Sequence, residues 1–345
     1  MKENKVNIVV PVYNKQKQIK RYLNSLINQT YKSLEIIVID DGSTDKSYEI
    51  CKKYENKDRR IKVIKKINEG VDIARHTGIK HCTGDYVTFV DSDDYLSKDA
   101  VELLVKALEK ENADIVFGNM ERVIGKLGLI KKKKQKDIYQ NKIISHDEFI
   151  DEHLKSFCGW GEMPVMMCGK LYKRCLFKDA LPTKLKYGED LCFNLQVMPK
   201  ANKIISIPDF IYKYSWGGVT AHIDENRILD DAIKQYQYKT KIYKKYNKLD
   251  FVEMANVELC NYFIGYVDAV VESNSIEESL KKIENAINYP ILQEAYKEIS
   301  FDWFKRNEKY KTIKEKNVEK LVFLRKNSLN KRKIKEYILK LINYL

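Results

Sequence analysis

The segment TGDYVTFVDSDD, residues 83–94, runs a short apolar strand into three carboxylates, Asp91, Asp93 and Asp94. Carboxylates this close together repel one another and raise each other's pKa, unless a cation or a set of hydrogen-bond donors holds them. Hard carboxylate oxygens suit Mg²⁺ or Mn²⁺. The segment therefore predicts a buried strand with a divalent metal site at its carboxyl end. For Asp94, the alternative is a turn that caps the helix following Ser97.

The residues around this segment alternate between the periods of strands and helices. Apolar runs typical of strands buried on both faces occur at VNIVVPV (6–12), LEIIVIDD (34–41), IKVIKK (61–66), DYVTFVD (85–91) and ADIVFGN (113–119). Helical spacing fills the intervals, and the candidate N-caps are Asn14, Ser43 or Thr44, and Ser97. This alternation predicts an α/β fold whose mostly parallel sheet is flanked by helices.

Polar clusters follow three of the predicted strands, at residues 11–14, 40–45 and 91–94. In a parallel sheet, the ligand crevice lies beyond the carboxyl ends of the strands. We therefore expect the three clusters to share one edge.

Beyond residue 119 the pattern changes. The run KKKK (131–134) predicts an exposed loop or hairpin, and KIISIPDFIYKYSW (203–216) predicts a strand pair turned at Pro208 and Asp209. From about Glu225 the chain is typical of successive helices. A helical region is therefore expected to follow the α/β part.

Composition limits the class of protein. The chain has 345 residues, 44% of them hydrophobic, and its seven cysteines include no CxxC pair, which argues against a disulfide framework or a zinc site. No apolar signal segment or membrane span is apparent, so a cytoplasmic protein is expected. The formal net charge is +14, and residues 301–345 hold 14 lysines or arginines against 5 acids. Such a basic region can meet anionic lipid, nucleic acid or water.

Several motifs resemble family 2 glycosyltransferases, a large group of inverting enzymes with the GT-A fold. They are VVPVYN (9–14), EIIVIDDGSTD (35–45), EGVDIARHTGI (69–79), CGKLYKR (168–174) and YGED (187–190). The resemblance implies a GT-A (Rossmann-like) domain over 1–222, with a nucleotide-sugar half at 1–120 and an acceptor half at 121–222. A basic helical C-terminal region, 223–345, follows. One departure is His76, where the family usually has Asn.

The resemblance also implies a donor site. Asp41 matches the residue that meets the uracil ring, although an Asx turn capped by Ser43 is the competing interpretation. Asp93 would hold Mn²⁺ or Mg²⁺, and a lone His222 is more often a surface residue than a ligand. The implied nucleotide-binding residues are Pro11, Tyr13, Asp41, Arg75, Asp91 and Ser92, and the implied metal ligands are Asp93 and Asp91. The Gly-containing loop WGGVTAH (216–222) could fold over a diphosphate, and its His222 is a further candidate metal ligand.

The motif YGED implies the catalytic base. Inverting transfer needs a carboxylate that takes the proton from the acceptor hydroxyl, and Asp190 matches that position, with Glu189 orienting the acceptor. Alternatively, both acids simply favour the N-terminus of the following helix through its dipole.

The expected function is metal-dependent transfer of a sugar from a UDP-sugar to a hydroxyl of a glycan acceptor, which could be lipid-linked, in cell-surface polysaccharide synthesis. The basic C-terminal helices could dock on the anionic inner face of the plasma membrane, or be a solvated helical bundle. The alternatives are a nucleotidyltransferase acting on sugar phosphates and a basic nucleic-acid-binding module. The first would need a Gly-rich loop after strand one, which PVYNKQKQ lacks. We expect no nucleic acid partner, because the positive charge lies mainly away from the motifs.

Overall fold

The computed structural model divides the chain into two compact units, Met1–Ala221 and His222–Leu345. The structure describes residues 3–124, 129–133, 140–216, 225–300 and 307–327. Across these ranges, none of the helices combines the length and the apolar character needed to cross a lipid bilayer.

The first unit is an α/β structure built on one ten-stranded sheet. Its strands are β1 (Val6–Val12), β2 (Leu34–Asp41), β3 (Ile61–Lys66), β4 (Tyr86–Phe89), β5 (Tyr95–Leu96), β6 (Ile115–Ile124), β7 (Leu129–Lys133), β8 (Ile143–Ser145), β9 (Lys170–Lys173) and β10 (Lys203–Trp216). Its helices are α1 (Ile19–Ile27), α2 (Ser47–Glu55), α3 (Val71–Lys80), α4 (Ala100–Lys110), α5 (His146–Glu148) and α6 (Glu189–Val197). After α5 the helix continues as a π-helical turn, Phe149–His153, and a 3₁₀ turn, Leu154–Cys158.

The first four long strands form the parallel half of the sheet, in the order β3-β2-β1-β4. Every residue of β1 is buried, as expected for a parallel strand covered on both faces. Helix α3 packs directly on β1 at Gly78, where a Cβ atom would lie 2.3 Å from a methyl group of Val9. This part confirms the α/β fold with helices on a parallel sheet, and it brings the three strand-end clusters to one edge.

The second half of the sheet is mixed. Strand β9 inserts antiparallel between β4 and β6, and β10 pairs parallel with β6. Strands β5 and β8 pair antiparallel with β10, and β7 pairs antiparallel with β6. Lysines 131–133 thus lie in the second strand of the β6–β7 hairpin, as the sequence predicted.

The predictions of a turn within 203–216 and of three helix caps are wrong. The N-cap of α1 is Gln18, not Asn14. The N-cap of α2 is Lys46, not Ser43 or Thr44. Residues 203–216 form one strand instead of a turned pair: the register against β6 shifts between Ser206 and Tyr212, so Pro208 is accommodated in an irregularity of the strand. Ser97 does not cap α4, whose N-cap is Asp99. Its hydroxyl donates instead to the Phe210 carbonyl (2.7 Å), which joins this segment to β10.

The second unit is helical. Its described helices are α7 (Glu225–Lys245), α8 (Leu249–Ser273), α9 (Ile276–Ile287), α10 (Pro290–Lys297), α11 (Glu308–Lys314) and a helical stretch at 318–327. The core is formed around the apolar face of α8, including Val257, Phe263 and Val267. Arg325 forms a two-pronged ion pair with Asp268 and ties the last described helix to α8.

Candidate active site

The candidate site begins at the carboxyl edge of the parallel strands. Pro11 is buried in β1 opposite Ile39, and Tyr13 follows with 45% of its surface exposed. The turn after β1 is joined to the loop after β2, since Asn14 accepts the Thr44 N–H (2.8 Å). The two loops therefore form one wall of the site.

Asp41 ends β2 and is only 3% exposed. Its Oδ1 accepts hydrogen bonds from Lys66 Nζ (2.8 Å) and the Glu69 N–H (3.1 Å), and its Oδ2 accepts the Gly70 N–H (2.8 Å). Gly70 has φ = 94°, a left-handed conformation that favours glycine. Three donors thus hold the Asp41 carboxylate in one orientation beside the N-terminus of α3.

The segment after β4 carries Asp91, the buried Ser92, and Asp94. Asp91 Oδ1 accepts from the Arg75 guanidinium (2.7 Å), and Asp91 Oδ2 accepts from the Cys168 thiol (3.5 Å). Asp94 is 2% exposed, and its oxygens accept from Tyr212 Oη and the Ser215 N–H, both at 2.7 Å. Burial raises the pKa of Asp94 to about 7. Asp94 therefore connects this turn to β10.

Asp93 differs from its two neighbours, because its partner is a lysine on the opposite loop. Lys15 Nζ donates to Asp93 Oδ2 at 2.7 Å. The Asp93 side chain retains 29% of its surface exposed and the Lys15 side chain 19%, so both reach solvent.

The two acids of YGED lie in the first turn of α6, after Gly188 in the left-handed conformation. Arg75 on α3 faces both: its guanidinium contacts Asp190 Oδ1 closely and Glu189 Oε1 at 3.3 Å. The same guanidinium bonds Asp91, and only 4% of the Arg75 side chain is exposed. One buried cation thus joins three carboxylates from two parts of the unit.

Burial and mutual repulsion raise the pKa values of Asp190 and Glu189. Burial raises the pKa of the Asp190 carboxyl, although Arg75 opposes the shift. Burial and the charge of Asp190 raise the pKa of Glu189 to about 7. Burial alone would lower the pKa of Arg75, but the surrounding carboxylates raise it well above its ordinary value. Arg75 therefore stays charged, while Glu189 titrates near neutral pH.

The donor atoms beyond β4 fit a hard divalent cation at Asp93 and Asp91, both partly exposed carboxylates. Asp94 fits less well, because it is only 2% exposed and its oxygens bond Tyr212 and the Ser215 backbone. Within the described ranges, three ligand atoms converge only at Glu148, Glu152 and His153, a group outside this edge. A metal at Asp93 would therefore need ligands from the bound substrate as well. His222 lies outside the described residues.

Sequence reasoning missed several contacts of the site. Lys15 follows a predicted strand end and could have been placed at the shared edge. The Met167 N–H donates to Asp190 Oδ2 (3.3 Å), a backbone contact for which no residue type is a signal. Asp72, one turn before Arg75, accepts from Thr183 Oγ1 (3.0 Å) and the Lys184 N–H (2.7 Å). Helix α3 thus holds the segment that leads to YGED.

A parallel α/β half with carboxylates at its edge, followed by a mixed half that adds two further acids, is the arrangement expected from the resemblance to the GT-A class of glycosyltransferases. The sequence model of Glycosyl transferase family 2 matches residues 7–174. The chain is 37% identical over 217 residues to glycosyltransferase GlyA of Streptococcus pneumoniae, covering 61% of this chain and 30% of GlyA. It is 29% identical over 315 residues to the uncharacterized glycosyltransferase EpsJ of Bacillus subtilis, covering 86% of this chain and 87% of EpsJ.

Among solved structures, S. aureus TarS 1-349 in complex with UDP-GlcNAc superposes with a TM-score of 0.70 at 20% identity, covering 94% of this chain and 92% of that one. This likeness establishes the fold. Residues 7–174 therefore match glycosyl transferase family 2, and the chain resembles glycosyltransferases in sequence and in fold.

Proposed function

We propose that the protein transfers a sugar from a UDP-sugar to a hydroxyl of a glycan acceptor, with a divalent metal and with inversion at the anomeric carbon. The observation that carries the proposal is the position of Arg75. Its guanidinium bonds Asp91 on the donor edge and Glu189 and Asp190 on α6. A donor at this edge and an acceptor beside α6 would therefore meet in one pocket.

The nucleotide would lie against the ends of β1 and β2. Asp41 is held rigidly by three donors, so it can accept a hydrogen bond from a base or ribose with little loss of freedom. Pro11 and Tyr13 would flank the nucleoside, and Ser92 would lie beside Asp91 at the donor. TarS was solved with UDP-GlcNAc, which supports a UDP-sugar as the donor.

Asp93, with Asp91 beside it, would hold Mn²⁺ or Mg²⁺. When bound, such an ion offsets the charge that develops on the departing nucleoside diphosphate. The role of His222 as a further ligand remains a proposal from the sequence.

Asp190 is the proposed base. Its Oδ2 is oriented by the Met167 N–H, and its raised pKa makes it a better proton acceptor than an exposed aspartate. As the acceptor oxygen attacks the anomeric carbon, its proton passes to Asp190 and the bond to the diphosphate breaks. Glu189, with a pKa of about 7, is partly protonated at neutral pH and can donate a hydrogen bond to the acceptor.

The proposed setting is cell-surface polysaccharide synthesis. The first unit would carry the transferase site, and the basic residues of 301–345 would bring the protein to an anionic inner membrane surface, where a lipid-linked acceptor is found.

Release of UDP tests the proposal. Purified protein is incubated with UDP-glucose, UDP-galactose, UDP-N-acetylglucosamine or UDP-N-acetylgalactosamine, in Mn²⁺ or in EDTA. We expect release from one donor, lost in EDTA and in Asp93→Asn, and retained in Asp147→Asn, an exposed acid away from the site. If no donor releases UDP and UDP with Mn²⁺ does not raise the melting temperature, the UDP-sugar assignment is wrong.

A further inference from the structure

The loop after β1 presents a cation to the candidate metal site. Lys15 Nζ donates to Asp93 Oδ2 at 2.7 Å, across 78 positions of sequence. A divalent ion at Asp93 would meet this ammonium at the same carboxylate, and two cations that share one carboxylate repel each other. Lys15 and the metal are therefore competitors for Asp93.

The backbone of Lys15 is fixed, so only its side chain can respond. Its N–H donates to Ser47 Oγ (2.7 Å), and its carbonyl accepts the N–H groups of Gln18 and Ile19, both at 2.9 Å. The Gln16 N–H donates to Asp45 Oδ2 (3.1 Å). A lysine stem on such an anchor has four rotatable carbons, and its ammonium can reach a new partner a few ångströms away without moving the loop.

The charges of the site give the ammonium a second partner. The edge holds the carboxylates Asp91 and Asp93, and a nucleoside diphosphate would add further negative charge there. Arg75 is buried among three carboxylates, whereas Lys15 has its ion pair at the partly exposed Asp93. Lys15 is therefore a cation that can turn from a protein carboxylate to a phosphate.

Resting on the proposed function, we propose that Lys15 is a donor-binding residue that exchanges partners. In the donor-free enzyme its ammonium neutralises Asp93 and weakens metal binding. When a nucleoside diphosphate and a divalent ion bind together, the ion takes Asp93 and the Lys15 ammonium moves to the diphosphate. Metal and donor then bind cooperatively, because each removes an obstacle to the other.

The exchange predicts effects of opposite sign from one substitution. In Lys15→Met, Mn²⁺ should bind the nucleotide-free protein at least tenfold more tightly, measured by the electron paramagnetic resonance signal of free Mn²⁺. The same variant should bind UDP in saturating Mn²⁺, where the ion occupies Asp93, at least tenfold more weakly, measured by isothermal titration calorimetry. Lys15→Arg should restore most of the UDP affinity and the weak Mn²⁺ binding, since it keeps the charge.

Two controls separate the exchange from general charge effects. Lys17→Met makes the same chemical change at an exposed lysine of the same loop and should leave both affinities within twofold. In an Asp93→Asn background, Lys15→Met should no longer change Mn²⁺ affinity but should still weaken UDP binding. Melting curves confirm that each variant is folded.

The proposed exchange is wrong if Lys15→Met binds Mn²⁺ no more tightly than the unmodified protein. It is also wrong if the variant binds UDP no more weakly. Failure of the proposed function has a different result: the unmodified protein would bind no UDP with or without Mn²⁺. The Mn²⁺ measurement on Lys15→Met would still report whether Lys15 and the metal compete for Asp93.

Discussion

Replacing Arg75 with methionine removes the one cation shared by three carboxylates. Methionine keeps much of the apolar stem, so the main change is the loss of positive charge from a side chain that is 4% exposed. Asp91, Glu189 and Asp190 would then repel one another with the Arg75 charge removed. Breaking a buried pair from one side costs about 3–5 kcal/mol. Because the three acids are partly exposed, we expect the lower end, about 3 kcal/mol, at pH 8.

The loss of unfolding free energy in Arg75→Met should become smaller as the pH falls. Glu189 already has a folded-state pKa of about 7, above its ordinary value of 4.5, and the pKa of Asp190 is raised as well. Without Arg75 both should rise further. An acid whose pKa is higher in the folded than in the unfolded state has no effect on stability at a pH below its unfolded-state pKa. Between the unfolded-state and the folded-state pKa, it destabilises the fold increasingly as the pH rises. At pH 5 Glu189 is largely protonated, so less negative charge is left uncompensated and we expect a loss of about 1 kcal/mol.

Equilibrium unfolding in urea at pH 5 and pH 8, followed by tryptophan fluorescence, measures this difference. Two of the three tryptophans, Trp160 and Trp216, belong to the first unit, so the signal reports mainly on the unit that contains Arg75. Arg59→Met, at an exposed arginine, is the matched control and should change stability by less than about 0.5 kcal/mol at either pH. An equal loss for Arg75→Met at both pH values would refute the reasoning about the three carboxylates.

Three further predictions concern the base, a turn and a loop contact. Asp190→Asn should lower the rate of transfer by at least about 100-fold and leave UDP affinity within threefold, measured by UDP release and calorimetry; retained activity would exclude Asp190 as the base. Gly42→Ala should cost about 2 kcal/mol in urea unfolding, because φ is 73° and a Cβ would lie 2.7 Å from a backbone nitrogen. Gly159→Ala, where φ is 71° but the space is open, should cost less, and equal losses would contradict the role of crowding. Asp72→Ala should cost about 2 kcal/mol, because the buried Thr183 hydroxyl loses its acceptor; a loss below about 0.5 kcal/mol would show that the contact contributes little.

Much of the donor edge was predictable from the sequence. Strands β1 to β4 are identified by apolar runs of strand length that alternate with segments of helical spacing. The pattern is readable because the apolar residues of each run follow from the burial of that element. Parallel strands end at one edge, so Pro11, Asp41 and Asp91 had to lie near one another. The family resemblance named Asp190 and Glu189, but the spacing of residues alone gave no reason to bring them to this edge.

The strand β10 shows where local signals fail. Pro208 and Asp209 are typical of a turn, but the pairing of this segment with β6 on one side and β5 and β8 on the other keeps it extended. The hydrogen bonds made with neighbouring strands outweigh the local turn preference, and the proline is absorbed as an irregularity.

The sequence by itself determined the α/β class, the parallel half of the sheet and the strand ends that carry its acids. Only the tertiary structure decided that Arg75 links Asp91 to Asp190 and that Lys15 bonds Asp93. The physical reason is that periodicity and turn residues report the burial of single elements. The Lys15–Asp93 contact, 78 positions apart, depends on the pairing of β1 with β4. The Arg75–Asp190 contact, 115 positions apart, depends on how the chain beyond β4 packs back, with β9 antiparallel to β4 and the loop before β9 bonded to Asp190.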